Sequence, residues 1–267
     1  MSVYLLFLRK ELHDIRRNGQ LLGIHLVIPL VFVAVMVGFA AFSTAILRTD
    51  ANDPVILALV RQATSAPDLA TLPQDIALTA FTMRALLAFF LLMPVVLSST
   101  LAAYSIVGEK QQRTLEPVLA TPISDREFLL GKMLASLIPP LALTWIAGLI
   151  AAVGVGAVTW SRWQLLLVPD RYWFVALGVL APVLGTASVL ATMRMSARAT
   201  DPQAAVQTSA LFFVPGFVLM VSVVGKVLMQ SVIAGLVGAL LLGMLDVWLF
   251  RNNVRKFARV EILTRWR

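Results

Sequence analysis

Long, continuous apolar runs separated by short charged segments make up most of the chain. Six of them are long enough to cross a bilayer as α-helices: 21–47, 86–107 with a helical lead-in from Ile76, 128–158, 172–193, 204–224 and 227–250. A span needs about 20 mostly apolar residues, at about 1.5 Å rise each, to cover roughly 30 Å of hydrocarbon. The runs do not alternate with polar residues, which excludes a membrane β-barrel. The first run is too long for the apolar core of a cleaved signal, about 7–15 residues, and no small-residue cleavage site stands out after it. Helix starts are marked as well. Ser124 and Glu127 form a capping-box pair before the third span, and Asp201-Pro202 opens the fifth. Asp53-Pro54 starts a short helix, 55–63, in the long loop after the first span. Only Gly225 and Lys226 separate the fifth and sixth spans, so a re-entrant segment there stays open.

Two segments outside the spans carry helical periodicity. Near the amino terminus, Leu5, Leu8, Leu12 and Ile15 share one face, with Lys10, His13, Asp14 and Arg17 on the other. This predicts a helix over 1–20 lying along the membrane surface. The plainer alternative is a basic leader that only sets topology. Between the second and third spans, 108–127 mixes acids and bases but keeps Leu115, Val118, Leu119 and Ile123 at near-helical spacing. A mere linker has no need of that apolar set, so the segment reads as a piece that docks on another protein.

Composition strengthens the membrane reading. Of the 267 residues, 59% are hydrophobic and only 13% charged, against roughly 45–50% and 25% in soluble domains. There is no Cys, and the only histidines are His13 and His25, which leaves no thiolate or His cluster to bind a metal. The net charge is +8, and its distribution gives orientation. Sixteen Lys and Arg lie in the amino-terminal segment, the second-to-third loop, the fourth-to-fifth loop and the tail 251–267, against six on the other side. The bias puts both termini in the cytoplasm, as an even number of spans requires. The basic tail suits anionic lipid headgroups and is no sign of nucleic-acid binding.

The second-to-third loop reads Glu109…Arg113-Thr114-Leu115-Glu116-Pro117-Val118-Leu119-Ala120-Thr121-Pro122-Ile123-Ser124, followed by Gly131-Lys132. It resembles the signature of the ABC type-2 exporter permeases, with Arg113 where the family commonly has Gly and Pro117 entering after Glu116. The closing segment, Asp246 to Trp266, resembles the family's as well. The resemblance implies an all-α polytopic membrane protein, one transmembrane domain over 1–267, set multi-pass in the cell inner (plasma) membrane. It implies an amino-terminal connecting helix and a cytoplasmic coupling helix. It implies two partners: a second permease chain, identical or not, and cytoplasmic ATPase subunits that hold the ATP and Mg. This chain has no phosphate-binding loop, since Gly131-Lys132 lacks the Gly-rich turn before it. The residues expected to couple to the ATPase are Glu109, Arg113, Thr114, Leu115, Glu116, Val118, Leu119, Thr121 and Pro122. Glu109 and Glu116 would either hold the loop's shape or meet basic residues of the ATPase.

Two intramembrane polar residues are candidates for other roles. Asp246 is the only acid deep in a span, and it sits five residues before Arg251. Pairing with Arg251 or a neighbouring helix is weighed against a substrate or proton role. His25 is expected to bond to a neighbouring helix. Pro29, Pro94, Pro139, Pro140, Pro182 and Pro215 fall within spans, as kinks or as hinges. Trp160, Trp163 and Trp173 fit an interfacial aromatic belt. No constellation for covalent catalysis occurs, so the chain reads as a permease subunit of an ATP-driven exporter and not as an enzyme. The rivals are an ion-coupled secondary transporter or channel, and a membrane scaffold without transport. Few fixed charges in the spans favour a lipidic or amphipathic cargo.

The absence of native Cys makes the topology testable. Cysteines placed at Ser2 and Thr264 are expected to resist an impermeant thiol reagent in intact cells, while one at Ser65 reacts; labelling at Ser2 overturns the orientation.

Overall fold

The computed structural model describes residues 3–49, 68–109, 123–196 and 232–256, with isolated helical positions at 58, 61, 203, 204 and 207. Helix α1 covers Val3–Arg17 and α2 Gly19–Thr49. Helix α3, Gln74–Phe90, and α4, Leu92–Ala103, follow one another and run into a π-helical turn, Tyr104–Gly108. Helix α5 is Asp125–Trp163. A short α6, Arg171–Val175, passes through a second π turn, Ala176–Leu180, into α7, Ala181–Ser196. Helix α8 is Val232–Lys256. No strand occurs among the described residues.

Five helical segments among the described residues are long and apolar enough to cross a membrane: Gly19–Ser43, Gln74–Gly108, Asp125–Trp163, Arg171–Ser196 and Val232–Arg255. They match five of the six expected spans, and the sequence box at Ser124 forms as read. The Ser124 side chain accepts from the Glu127 backbone N–H, and the Glu127 carboxylate accepts from the Ser124 backbone. The expected fifth span, 204–224, falls almost wholly outside the described residues, as do the Asp201-Pro202 start and most of the expected 55–63 helix.

The α3–α4 segment is the axis of the bundle. Phe90, Leu91, Met93, Leu97 and Leu101 are essentially sealed, with α5 and α7 packed along them. Phe90 meets Phe32 of α2 edge-on at 5.9 Å and Trp173 of α6 at 6.1 Å. Trp173 is thus a core residue rather than part of an aromatic belt, while Trp160 remains exposed. Helices α2 and α8 are peripheral, with outward faces such as Leu26, Leu30 and Phe42, or Ile233, Leu241 and Met244. These are the faces a lipid solvent accepts. Small residues let helices approach: a Cβ on Gly185 would stand 2.8 Å from Leu137, and one on Gly154 2.6 Å from Val37. Core hydroxyls return to their own helix, as with Thr100 to the Val96 carbonyl at 2.7 Å and Thr144 to Pro140 at 2.8 Å.

The two ends of the bundle are closed differently. At the end far from the amino terminus, Arg84 binds Asp68 at 2.6 Å and Asp170 at 3.1 Å, and stacks 4.1 Å over the Tyr172 ring. Arg171 reaches the same Asp68 at 3.2 Å. Burial opposes ionisation of Asp68, but the hydrogen bond and charge of Arg84, with Arg171 behind it, outweigh that and hold its carboxyl below the ordinary range. Arg162 donates to the carbonyls of Ala40 and Ala41, tying the far ends of α2 and α5. Arg84, Arg162 and Arg171, assigned together from the charge pattern, do share this end.

At the other end, α1 packs on the start of α5. Its buried residues are Phe7, Glu11 and Ile15, one helical stripe, while Leu5 and Leu12 stay exposed. The face read from the sequence, Leu5, Leu8, Leu12 and Ile15, is therefore divided: Ile15 docks on the protein, Leu8 is half-buried, and Leu5 and Leu12 are left for lipid. Phe7 lies edge-on to Phe128 at 6.0 Å, and a Cβ on Gly131 would come within 2.6 Å of its ring. The change Gly131→Ala gains up to about 1 kcal/mol of helix propensity but overpacks a site where such strain costs about 1–3 kcal/mol. A net fall in the thermal midpoint of the detergent-solubilised protein is expected, with faster tryptic cleavage at Arg16 and Arg17 as α1 loosens. Gly38→Ala, which meets open space inside α2, is the control: it keeps the propensity gain without the overpacking, so neither a fall in the midpoint nor faster cleavage is expected.

Candidate functional site

Where α1, the π turn after α4 and the start of α5 meet, four charged side chains come together. Lys132 is the eighth residue of α5 and is fully buried. Its Nζ lies 2.6 Å from Glu109 Oε1, 2.9 Å from Ser105 Oγ, 3.2 Å from the Ser105 carbonyl and 3.3 Å from Glu11 Oε1. An ammonium has only donors, so Ser105 Oγ accepts from Lys132 and donates its own proton to Glu11 Oε1, at 2.5 Å. Lys10 closes the group from its wetter side by pairing with Glu109. Burial, and next the charge of Lys132, hold the Lys10 ammonium below the ordinary lysine range.

Two cations and two anions make the node neutral. That neutrality is what permits it to be buried, because an isolated charge at this depth would cost several kcal/mol. Glu11 and Glu109 have side chains only 2% and 6% exposed, so water cannot replace Lys132 as their partner. Each element contributes through its own local geometry. The Phe7–Glu11–Ile15 stripe carries Glu11 inward between two apolar anchors. The capping box fixes where α5 begins, and so which way Lys132 points.

The π turn supplies the third part. Widening the helix from four to five residues per hydrogen-bonded step leaves a carbonyl over, and such turns concentrate at functional sites. Lys132 donates to a carbonyl of this turn, at Ser105. The second π turn repeats the device, since Trp145 Nε1 donates to the Leu177 carbonyl at 2.9 Å. Both donors come from α5, which therefore pins an irregularity in the second span and another in the fourth.

Of the expected coupling residues, the structure places Glu109 in this node, facing Lys132 and Lys10 of its own chain. Arg113, Thr114, Leu115, Glu116, Val118, Leu119, Thr121 and Pro122 lie outside the described residues. The segment that holds them, 110–122, begins directly after Glu109 and ends directly before Ile123 and the Ser124 cap, so both of its ends are tied to the node's elements. His25 is buried and bonds through Nδ1 to the Leu21 carbonyl of its own helix at 2.8 Å, with the backbone of Leu97 on the neighbouring α4 also against the ring. Asp246 is buried and forms no ion pair with Arg251, which is exposed. Sequence reading missed Glu11, Ser105 and Lys132 as site residues, and counted Lys132 with the loop cations. The available signal was a pair of opposite charges, each set within an apolar stripe: Glu11 between Phe7 and Ile15, and Lys132 after Leu129-Leu130.

The node's energetics are open to measurement. Lys132→Met leaves the buried Glu11 without its cation and Glu109 with Lys10 alone, and is expected to cost about 3–5 kcal/mol of stability. Adding Glu11→Gln and Glu109→Gln removes the stranded charges and should recover most of that loss, read as the unfolding midpoint in detergent. A single variant as stable as the parent would mean that the ions do not interact as the geometry has them.

No curated protein matches the chain. A family model described as "ABC-2 family transporter protein" matches residues 5–249. The match runs from within α1, through the node and four whole spans, into the last span as far as residue 249, and the chain belongs to the ABC-2 transporter family as a membrane-spanning permease.

Proposed function

We propose that this permease exports its substrate under the power of a separate ATPase that docks on the segment 110–122, with both termini on the ATPase side. Two permease chains would form the path, and ATP with Mg would be held by the partner. The observation that carries the coupling part is the Lys132 node. Its elements flank the segment on both sides and are locked to α1 and to the second and third spans by buried ion pairs.

A push on the segment would then move α1, the end of α4 and the start of α5 as one piece. Buried charges make a stiff joint, because parting them exposes each to a low-dielectric surround. The π turn beside Glu109 is where the second span can absorb the displacement. No bond to substrate is made or broken in this mechanism; the spans rearrange around it.

The experiment is substitution at Leu115 and Leu119, the apolar pair that would fill the partner's groove. Leu115→Asp with Leu119→Asp puts unpaired charge into a desolvated contact. Loss of ATPase co-purification, or loss of transport-linked ATP turnover in liposomes, is the expected outcome, with membrane insertion intact. Normal binding and transport by the double variant would move the docking site to another face, α1 first.

A further inference from the structure

Asp246 differs from every other buried charge described here. It lies on α8 at a spacing of seven from Ala239 and from Asn253, and these residues form the stripe that faces the bundle. Asn253 fixes what that stripe meets, because its Nδ2 donates to the Leu190 carbonyl of α7 at 2.9 Å. Asp246, two turns further along the same face, is only 7% exposed, and its Oδ1 is buried with no hydrogen-bond partner. It stands about 21 Å along the helix from Val232 and about 8 Å from the exposed Arg251, within the apolar span Val232–Arg255.

Among the described residues no cation pairs with it. The described helices and turns packed on α8 are α7, α6, the second π turn and α5. Helix α7 carries one charged residue, Arg194, which is exposed. Helix α6 carries Arg171, beside Tyr172 and bound to Asp68 at the far end, and the π turn carries none. Helix α5 carries Asp125, Arg126 and Glu127 in its first turn, Lys132 in the node and Arg162 on the Ala40 and Ala41 carbonyls. On α8 itself Arg251 and Arg255 are exposed, and none of these groups forms an ion pair with Asp246.

A carboxylate buried on this seam, with no counter-charge among the described residues, is unfavourable, and a bound proton would remove its charge. We propose that Asp246 is an intramembrane proton-binding site, protonated while α8 is seated on α7 and ionised once the two helices part and water reaches it. Proton uptake from water would then close the α7–α8 seam, and release to water would follow its opening. The contrast with Lys132 is chemical: that charge meets fixed counter-charges and needs no ligand, whereas Asp246 meets none among the described residues. The alternation of the seam during transport rests on the permease reading above; the protonation does not.

The test uses the purified full-length permease in lipid nanodiscs, without any ATPase. Infrared spectra at neutral pH are expected to contain a protonated-carboxyl stretch that is lost in Asp246→Asn, shifted in Asp246→Glu, and replaced by carboxylate absorption as the pH is raised. Hydrogen exchange over 240–253, compared at each pH with Asp246→Asn to remove the intrinsic pH effect, should rise with pH in the parent alone. If Asp246→Asn does not fold, the band shift of Asp246→Glu carries the assignment. The proposal is overturned if the parent shows no Asp246 band at neutral pH. It is overturned equally if parent and Asp246→Asn exchange alike at every pH. Binding of tetraphenylphosphonium that depends on Asp246, with no such band, would overturn it in favour of a cation anchor. A failed Leu115/Leu119 experiment leaves these readings unchanged, so the two ideas fall separately.

Discussion

An ammonium sealed inside a membrane bundle has to be neutralised where it stands, and Lys132 imposes that condition on everything around it. Its four oxygen contacts come from two other elements, α1 and the π turn after α4. None of the three elements can shift alone without stranding a charge. The amphipathic amino-terminal helix is therefore part of the bundle, not merely a raft beside it. The exposed Leu5 and Leu12 remain available to lipid because Phe7, Glu11 and Ile15 anchor the neighbouring stripe of the helix.

The same condition explains why irregular backbone is tolerated here. A π turn in hydrocarbon is costly unless its spare carbonyl finds a donor. Helix α5 provides one at each irregular point, through Lys132 for the second span and Trp145 for the fourth. Displacing α5 along its axis would disturb both turns together. The third span is in this sense the strut of the fold, and the second and fourth are the parts shaped to yield.

Most of the architecture was legible because a membrane span announces itself locally. Continuous apolar runs gave five described spans, and the Ser124–Glu127 spacing gave the start of α5. Far-end grouping of Arg84, Arg162 and Arg171 followed from charge asymmetry alone. What escaped was non-local. Lys132 and Glu11 are 121 residues apart, and no periodicity links them. The docking face of α1 was hidden because its centre is a glutamate, so the cleaner apolar stripe drew attention to the lipid side instead. Neither π turn has a composition that marks it, and Trp173 looked interfacial only because it lies near a loop. Glu109 was singled out from its motif, but its partners could be seen only in three dimensions.

The pairing of charges also divides the molecule mechanically. At the node and at the Arg84 cluster, each ion has fixed counter-charges on another element, so separation is opposed by Coulomb attraction and by burial together. Along the α7–α8 seam the contacts are of another kind: one Asn253 amide, apolar packing and a carboxyl group without a counter-ion. Apolar packing gives little preference in lipid, since acyl chains replace it at small cost. A bundle clamped by ions at both ends of its centre, and joined to α8 by contacts that lipid or water can substitute, has its softest interface there. Asp246 lies on that interface. Among the described residues, the buried acid without a counter-charge thus sits where the packing resists separation least, and where a change in its charge would be felt most.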